Sequence, residues 1–376
     1  MKILHIIVGL NIGGAENFLR RLILAHKGNP NYCHSVISLT TIGAVGENLQ
    51  NEGVEITALG LNRLNFLIIL IKLIKQIKVI NPDVVQTWMY HSDFFGGIAA
   101  RLSGKRNVIW SIRCSDFTAL ASITTKILIK LNSLLSKIIP KKIFVNSNSG
   151  LQDHIRLGFD MSKLYFIPNG YDLEHFSPKN SKNNGLLNEY NIGESDVVIG
   201  HIGRFHSMKD HFGFIQAIGI IKNEIPNFKI IMIGKNIDWE NTILSNWIKN
   251  TGIENKFILL GECQNMVNYL AMMDIFCSSS SASEGFPNVL AESMAMGIPC
   301  VVTNVGDSAD ILGEHGIIVS PKNPSALAQG ILKLIKTSTQ DRHLIGAKAR
   351  QKIMNEYSIK KVVSIYETHY KQIVGI

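Results

Sequence analysis

No stretch of this sequence stays apolar for the roughly 18–20 residues that a membrane-spanning helix needs. The nearest approach, NFLIILIKLIKQIKVI, is broken by Lys72, Lys75 and Lys78. Cysteine is scarce and odd in number. Cys33, Cys114, Cys263, Cys277 and Cys300 are scattered, without a CxxC pair or the Cys/His spacing of a zinc site. A disulfide framework and a structural zinc are thereby excluded, and a reduced, cytosolic compartment fits. No Walker A lysine follows a glycine-rich turn, and there is no DxD triplet. No divalent cation is therefore expected to be essential, and no cofactor is implied. Acidic residues run short in one half only. Residues 1–176 hold 19 Lys+Arg against 11 Asp+Glu, a net +8, whereas residues 177–376 hold 19 against 18, a net +1. The basic half implies either a plain basic surface or an anionic partner, for which nucleic acid, an anionic membrane surface and a phosphorylated substrate are the candidates.

What is present is ample for two globular cores. The chain has 376 residues, 46% of them hydrophobic and 18% charged, which excludes a disordered protein. Short β-branched runs alternate with longer amphipathic ones. Residues 3–8, 34–39, 83–88, 107–112 and 142–147 read as strands buried on both faces, as parallel strands are. The first of them, in MKILHIIVGLNIGGAE, is read as a strand and not as a secretory signal, because His5 interrupts it and an acid follows the small residues. The rhythm restarts at 197–203 and continues at 229–234, 256–261, 274–279 and 298–303. Two successive βαβ series predict an α/β protein of two doubly wound domains. The Pro-, Gly- and Asn-bearing stretch 166–185 reads as hinge and linker, and the segment after Ser358 as a helix. Ligands of open α/β sheets bind outside the carboxyl ends of the strands, so a cleft between two facing domains is the expected site.

Three motifs carry chemistry. GLNIGGAEN places Gly13 and Gly14 between a strand and a helix, where free N–H groups face an anion. A plain βα turn is an equally good reading. IGHIGRFHSMKDH ends a strand at Gly203 and sets Arg204 and Lys209 five residues apart, a planar donor fork and a mobile point charge that suit a diphosphate. Two solvated surface cations are the competing reading. In SSSSASEGFPNVLAESMAMG, Pro287 suits the first turn of a helix and Gly297 its C-terminal cap. The amides of Asn288, Val289 and Leu290, next to Gly285 and Phe286, would then be open to phosphate. Glu284 precedes this helix and Glu292 lies one turn inside it. A lone acid there would complement the helix dipole by a few tenths of a kcal/mol, roughly. Two acids around such a turn suit neutral hydroxyls, with cations and amides left for phosphate.

Together GGAE, the Arg204–Lys209 pair, the two glutamates of EGFPNVLAE, WMYHSDFFGGIAARLSG, FIPNGYDLEHF and VVTNVGDSADIL resemble, in order and spacing over nearly the whole chain, the retaining glycosyltransferases of the GT-B fold, family four (group 1 glycosyl transferases). The resemblance implies two Rossmann-like domains facing a cleft. Residues 1–170 would bind the acceptor, residues 171–357 the nucleotide sugar, and a C-terminal helix at about 358–376 would pack back on the first domain. Glu284 would contact hydroxyls of the donor sugar, Glu292 the ribose, and Arg204 and Lys209 the diphosphate. Gly13 and Gly14 would lie near phosphates and acceptor, and His91, in MYHSDF, beside the donor sugar. Arg113 is a weaker candidate for acceptor or phosphate. The implied partners are a nucleotide-sugar donor (UDP-hexose or UDP-N-acetylhexosamine before GDP-mannose) and a bacterial glycan or lipid-linked glycan acceptor. An anionic inner-membrane surface is a third, and nucleic acid is not among them. Two alternatives stay open: a sugar-nucleotide epimerase on the same fold, and an inactive nucleotide-sugar-binding scaffold.

Overall fold

Contacts divide the chain into two units, Met1–Gly170 with Ile359–Ile376, and Tyr171–Ser358. The structure is a computed structural model and describes residues 1–62, 64–113, 123–178, 184–225, 227–263, 265–282 and 284–376. Cys114 and the 179–183 part of the expected linker lie outside the described residues.

In the first unit β1 (Lys2–Ile7), β2 (Cys33–Ser38), β3 (Glu55–Ala58), β4 (Val84–Trp88), β5 (Val108–Ile112), β6 (Lys142–Val145) and β7 (Leu164–Phe166) form one parallel sheet in the order β3-β2-β1-β4-β5-β6-β7. In the second, β8 (Val197–Ile202), β9 (Phe228–Ile233), β10 (Phe257–Leu259), β11 (Ile275–Ser278), β12 (Cys300–Thr303) and β13 (Ile317–Val319) are parallel in the order β10-β9-β8-β11-β12-β13. Every residue of β4, β5 and β12 is buried, because helices cover both faces. The sequence reading missed β3, β7 and β13. These are edge strands of three or four residues, half exposed, and they lack the long apolar run that marks a central strand.

Strand order reverses between β1 and β4 in one sheet and between β8 and β11 in the other. The connections that leave such a neighbouring pair diverge to opposite faces and open a crevice at the carboxyl ends. Each unit therefore has one place where its topology favours a ligand.

The C-terminal helix Ile359–Val374 belongs to the first unit. Its buried face, Val362, Val363, Tyr366, Tyr370 and Ile373, shares a core with Ile3, Phe18, Trp88 and Phe144. Polar contacts fix its register. Tyr370 donates its hydroxyl to Gln86 of β4, and Arg113 donates to the Tyr366 oxygen at 2.6 Å.

A chain of imidazoles joins the middle of this sheet to the same helix. Trp88 Nε1 donates to His5 Nδ1 at 3.2 Å, which leaves the His5 proton on Nε2, facing His34 Nδ1 at 2.9 Å. His34 Nε2 faces His26 Nδ1 at 2.9 Å, and His26 Nε2 faces Glu367 Oε1 at 3.2 Å. Each ring accepts at Nδ1 and donates at Nε2, so one tautomer satisfies the whole chain with all three rings neutral. Neighbouring rings stack at 5.1 and 4.9 Å.

Burial, then the neighbouring imidazoles, hold His5 well below the ordinary histidine value. Burial, then His26 and the N-terminal ammonium, bring His34 down to about 3. The unfolded chain binds more protons than the folded one from an unfolded value near ~6.5 down to those folded values, so stability is complete above that value and falls as pH drops through this window. Urea unfolding followed from pH 7.5 to pH 5 should show a midpoint that declines below pH ~6.5. A flat profile would contradict the neutral chain.

Candidate active site

The crevice of the second unit is built from two strand ends. β8 finishes at Ile202, and the loop after it carries Arg204 before the short turn Ser207–Lys209. Arg204 is exposed, and its carbonyl accepts from His211 Nε2 at 2.9 Å. Asp210 takes a left-handed backbone (φ 48°) and caps the helix His211–Ile221 through Gly213 N at 3.0 Å. The loop is stitched to the serine run that ends β11. Ser279 Oγ donates to the Lys209 carbonyl at 2.8 Å and receives His201 Nε2 at 2.9 Å, and Ser281 N bonds the Met208 carbonyl at 2.7 Å. Burial keeps His201 and His211 below the usual histidine range, so this scaffold is uncharged.

Glu284 is 8% exposed. Its Oε1 accepts from Ser280 Oγ at 2.5 Å and is ion-paired with Lys209 Nζ. The site thus brings together a cation and a carboxylate that the sequence separates by 75 positions. Gly306 holds the backbone in place. It has φ 55°, and a Cβ there would overlap the Glu284 carbonyl. Asp307 N bonds the Gly285 carbonyl at 3.3 Å. Ser280 and Gly306 are supports that nothing in their local sequence singles out beyond a serine run and a glycine after β12.

The next helix begins at Asn288, not at Pro287 as expected. Pro287 is the N-cap, with ψ 93°, and its ring leaves the extended entry intact. Asn288, Val289 and Leu290 form the first turn, whose N–H groups have no acceptor within the helix. Asn288 is fixed through its Oδ1, which accepts from the Tyr171 hydroxyl at 2.7 Å. Phe286 is buried, with the Tyr171 ring 6.2 Å away and the Tyr357 ring edge-on at 5.5 Å. Glu292 is buried one turn in, 8% exposed. Gly297, φ 73°, ends the helix as a left-handed cap.

In the first unit Gly13 is the extended N-cap (φ −165°) of the helix Gly14–Ala25, and the Glu16 carboxylate folds back against it. His91 is exposed in the first turns of the helix Met89–Leu102, which follows β4. Met89 enters that helix with φ 70°, a conformation that costs a non-glycine residue on the order of 1–3 kcal/mol. Partial desolvation lowers the His91 pKa. Gly14 and His91 therefore stand at the carboxyl ends of β1 and β4, the two strands that flank the reversal. Arg113 is engaged inside the unit. It bonds Asn169 and Tyr366, and its guanidinium carbon lies 3.7 Å from the centre of the Phe18 ring.

Comparison with known proteins gives two adjoining family matches. Residues 12–175 match the model of Glycosyltransferase Family 4, and residues 186–352 that of Glycosyl transferases group 1. The chain is 31% identical over 191 residues to N-acetyl-alpha-D-glucosaminyl L-malate synthase of Bacillus anthracis, a match over 50% of this chain and 49% of that protein. It is 26% identical to UDP-Gal:alpha-D-GlcNAc-diphosphoundecaprenol alpha-1,3-galactosyltransferase of Escherichia coli, over 78% of this chain and 76% of that one. The match thus spans about half of the first relative's length and three quarters of the second's. Among solved structures, Anabaena HepE in complex with UDP and glucose superposes with a TM-score of 0.83 at 20% identity, over 98% of this chain and 99% of that one. The fold of the two sheets is GT-B.

Gly306→Ala should displace the Glu284 loop. An alanine at positive φ alone destabilises by about 1 kcal/mol or more, and the clash with the Glu284 carbonyl adds to it. A thermal melt of the variant should show a fall of several degrees. An unchanged midpoint would mean that the close approach is not what holds this loop.

Proposed function

Because the chain belongs to the group 1 glycosyl transferases, with a Family 4 first half, we propose that it moves a sugar from a nucleotide donor to a bacterial polysaccharide or lipid-linked oligosaccharide, with retention of configuration. The observation that carries this reading is the charge pattern at the ends of β8 and β11. An exposed Arg204, a half-exposed Lys209 and the first turn of the helix Asn288–Ala295 offer positive potential, beside two nearly buried carboxylates, Glu284 and Glu292. A sugar nucleotide needs both kinds of partner. A UDP-linked hexose or N-acetylhexosamine is the favoured donor and GDP-mannose the second. The E. coli relative, whose name gives UDP-Gal as donor and a diphosphoundecaprenol-linked acceptor, supports that order. So does the UDP held by the Anabaena structure.

In this reading the bond from the sugar C1 to the β-phosphate oxygen breaks and a bond from C1 to the acceptor oxygen forms. Negative charge grows on the leaving diphosphate. Arg204, Lys209 and the amides of Asn288, Val289 and Leu290 stabilise it, as preorganised donors do in a site shielded from water. Glu284 binds hydroxyls of the transferred sugar, and Glu292 the ribose. Gly285 and Phe286 shape the turn between them. Gly13 and Gly14 are assigned to phosphate and acceptor, and His91, neutral near pH 7, to the donor sugar as a hydrogen-bonding group. The leaving phosphate oxygen takes the acceptor's proton on the same face, which gives retention without a carboxylate nucleophile. The cations do the work a divalent metal would do, so turnover should survive chelation.

Arg204→Ala and Lys209→Ala should each lower the turnover number by on the order of 10²–10³, the usual effect of removing one such donor. The assay is steady-state transfer from the donor identified by a thermal-shift screen of nucleotide sugars. Near-full turnover in both variants would remove the assignment.

We also propose that the first unit docks on an anionic membrane surface. The helix Ile123–Ser136 supports this by its inverted faces. Ile129 is buried together with the polar Asn132, Ser133 and Ser136, while Ile123 (77% exposed), Ile127, Leu131 and Leu134 face solvent with Lys126, Lys130 and Lys137. Asn132 Nδ2 donates to the Tyr90 carbonyl at 2.8 Å, so the polar side is held inward by a bond and not by chance. The helix Phe66–Ile80 exposes Leu67, Ile68, Ile71 and Val79 among Lys72, Lys75 and Lys78, and both helices pack on the helix Met89–Leu102 between them. Apolar side chains and lysines mixed on one surface suit an interfacial site, where each lysine contributes about 1 kcal/mol. Vesicles containing anionic lipid should sediment the protein at low salt, and replacing Lys126, Lys130 and Lys137 with glutamine should release it. Equal sedimentation by neutral vesicles would overturn the docking proposal.

A further inference from the structure

We infer that Lys209 is a latch on Glu284, drawn off by a diphosphate at a cost that only the hydroxyls of an attached sugar offset, so that the pair closes again as the bare nucleotide leaves. The inference rests on the reading above in one respect, that Lys209 serves the diphosphate and Glu284 the sugar. The rest comes from how the two side chains are held.

Of the pair, the carboxylate is the fixed partner. Its backbone is pinned by the close approach of Gly306, and its Oε1 is anchored by Ser280 Oγ at 2.5 Å. Ser280 is itself 1% exposed, and its carbonyl accepts from Thr303 Oγ1 at 2.6 Å. Lys209 is fixed only at its backbone, through the Ser279 bond to its carbonyl. Its stem runs past Gly203, where a Cβ would stand 3.3 Å from Cγ and Cδ. The ammonium is a point charge on a flexible stem and can change partner by rotation of the side chain alone. Exposure points the same way: 30% for the lysine side chain against 10% for the glutamate, so an anion coming from solvent meets Lys209 first.

A carboxylate this buried is destabilised when its cation leaves, unless other donors replace it. A nucleoside diphosphate without its sugar draws Lys209 away and puts nothing in its place, and it adds negative charge beside Glu284. A complete donor brings hydroxyl groups that take over the carboxylate. The two subsites are therefore coupled, and by linkage the coupling acts in both directions. Before transfer it favours the intact donor over the bare nucleotide. After transfer the hydroxyls depart with the acceptor, Glu284 reclaims Lys209, and the nucleoside diphosphate is released faster.

Calorimetry with UDP on the full chain tests this in wild type, Glu284→Gln, Lys209→Met and the double variant. The latch predicts that Glu284→Gln, although it loses transfer activity, binds UDP several-fold to about tenfold tighter than wild type, a difference of ~1.4 kcal/mol at tenfold. The gain should be larger with Lys209 present than in the Lys209→Met background, because only then is a cation set free. Unchanged or weaker UDP affinity in Glu284→Gln overturns the latch. An equal gain in both backgrounds also overturns it, since repulsion by the carboxylate would then account for everything. Lys209→Met with wild-type UDP affinity would instead remove the assignment of Lys209 to the diphosphate, a different failure. If Glu284→Gln does not fold, a crystal structure of the wild type with UDP decides: Lys209 Nζ should have left Glu284, and an intact pair overturns the inference.

Discussion

The parallel pairing of β8 with β11 is the constraint on which the second unit's site depends. Parallel strands send their connections out on the same edge of the sheet, so two loops far apart in sequence emerge side by side. The register sets His201 opposite Cys277, and from there His201 reaches Ser279 two residues further on. Ser279 then ties down the carbonyls of Lys209 and Asp210. A slip of one residue would turn His201 to the other face of the sheet and cut this series at its first link. Hydrophobic burial of both faces prevents the slip: Ile199, Phe276 and Cys277 are all buried, on opposite sides. The placement of a cation beside Glu284 is thus a consequence of how apolar strands pack.

Several groups beneath the two crevices carry no charge. Beneath the Arg204 loop these are His201, His211 and the serine hydroxyls. Two residues beyond His91, Asp93 is fully buried, and burial raises its pKa well above the carboxylate range. Thr87 Oγ1 lies 2.5 Å from its Oδ1, and a protonated Asp93 fits that site without a counter-ion. Charges in their place would screen the site. Neutral groups leave Arg204, Lys209, Glu284 and Glu292 to act on each other and on whatever enters, with an effective dielectric below that of water.

The central strands were legible in the sequence because burial on both faces writes a near-continuous run of valine and isoleucine. The edges were not. Glu55–Ala58, Leu164–Phe166 and Ile317–Val319 are short and half solvated, and composition there looks like that of a loop. Charged members of the candidate site were legible for a related reason, since an arginine, a lysine or a glutamate at a strand end stands out against an apolar background. Their supports did not stand out. Ser280 is one serine in a run of four, and Gly306 is one of 31 glycines. Nothing local distinguishes a glycine that only fills a turn from one that a carbonyl touches from another segment. Pro287 shows the same limit on a smaller scale: its place at the helix entry was readable, but N-cap and first turn differ by one residue and one ψ angle.

The helix Ile123–Ser136 shows what sequence periodicity leaves undecided. Read as a wheel, most of its isoleucines and leucines define one stripe, with Ile129 on the opposite side, and the apolar stripe is normally assigned inward. Here tertiary bonds reverse the assignment for Ile123, Ile127, Leu131 and Leu134, while Leu128 and Leu135 still pack on the core. Asn132 Nδ2 donates to the Tyr90 carbonyl, and Ser136 Oγ accepts from Asp160 N at 3.0 Å, so turning either outward would lose a tertiary bond. Those bonds cost little to make inside, while the apolar stripe, turned outward, costs stability for as long as water covers it. A monomer that needed only to fold would gain by the opposite arrangement. The outward stripe is the feature on which the proposed membrane docking rests. The net +8 of residues 1–176, against +1 for the remainder, agrees in sign with the anionic surface proposed for it.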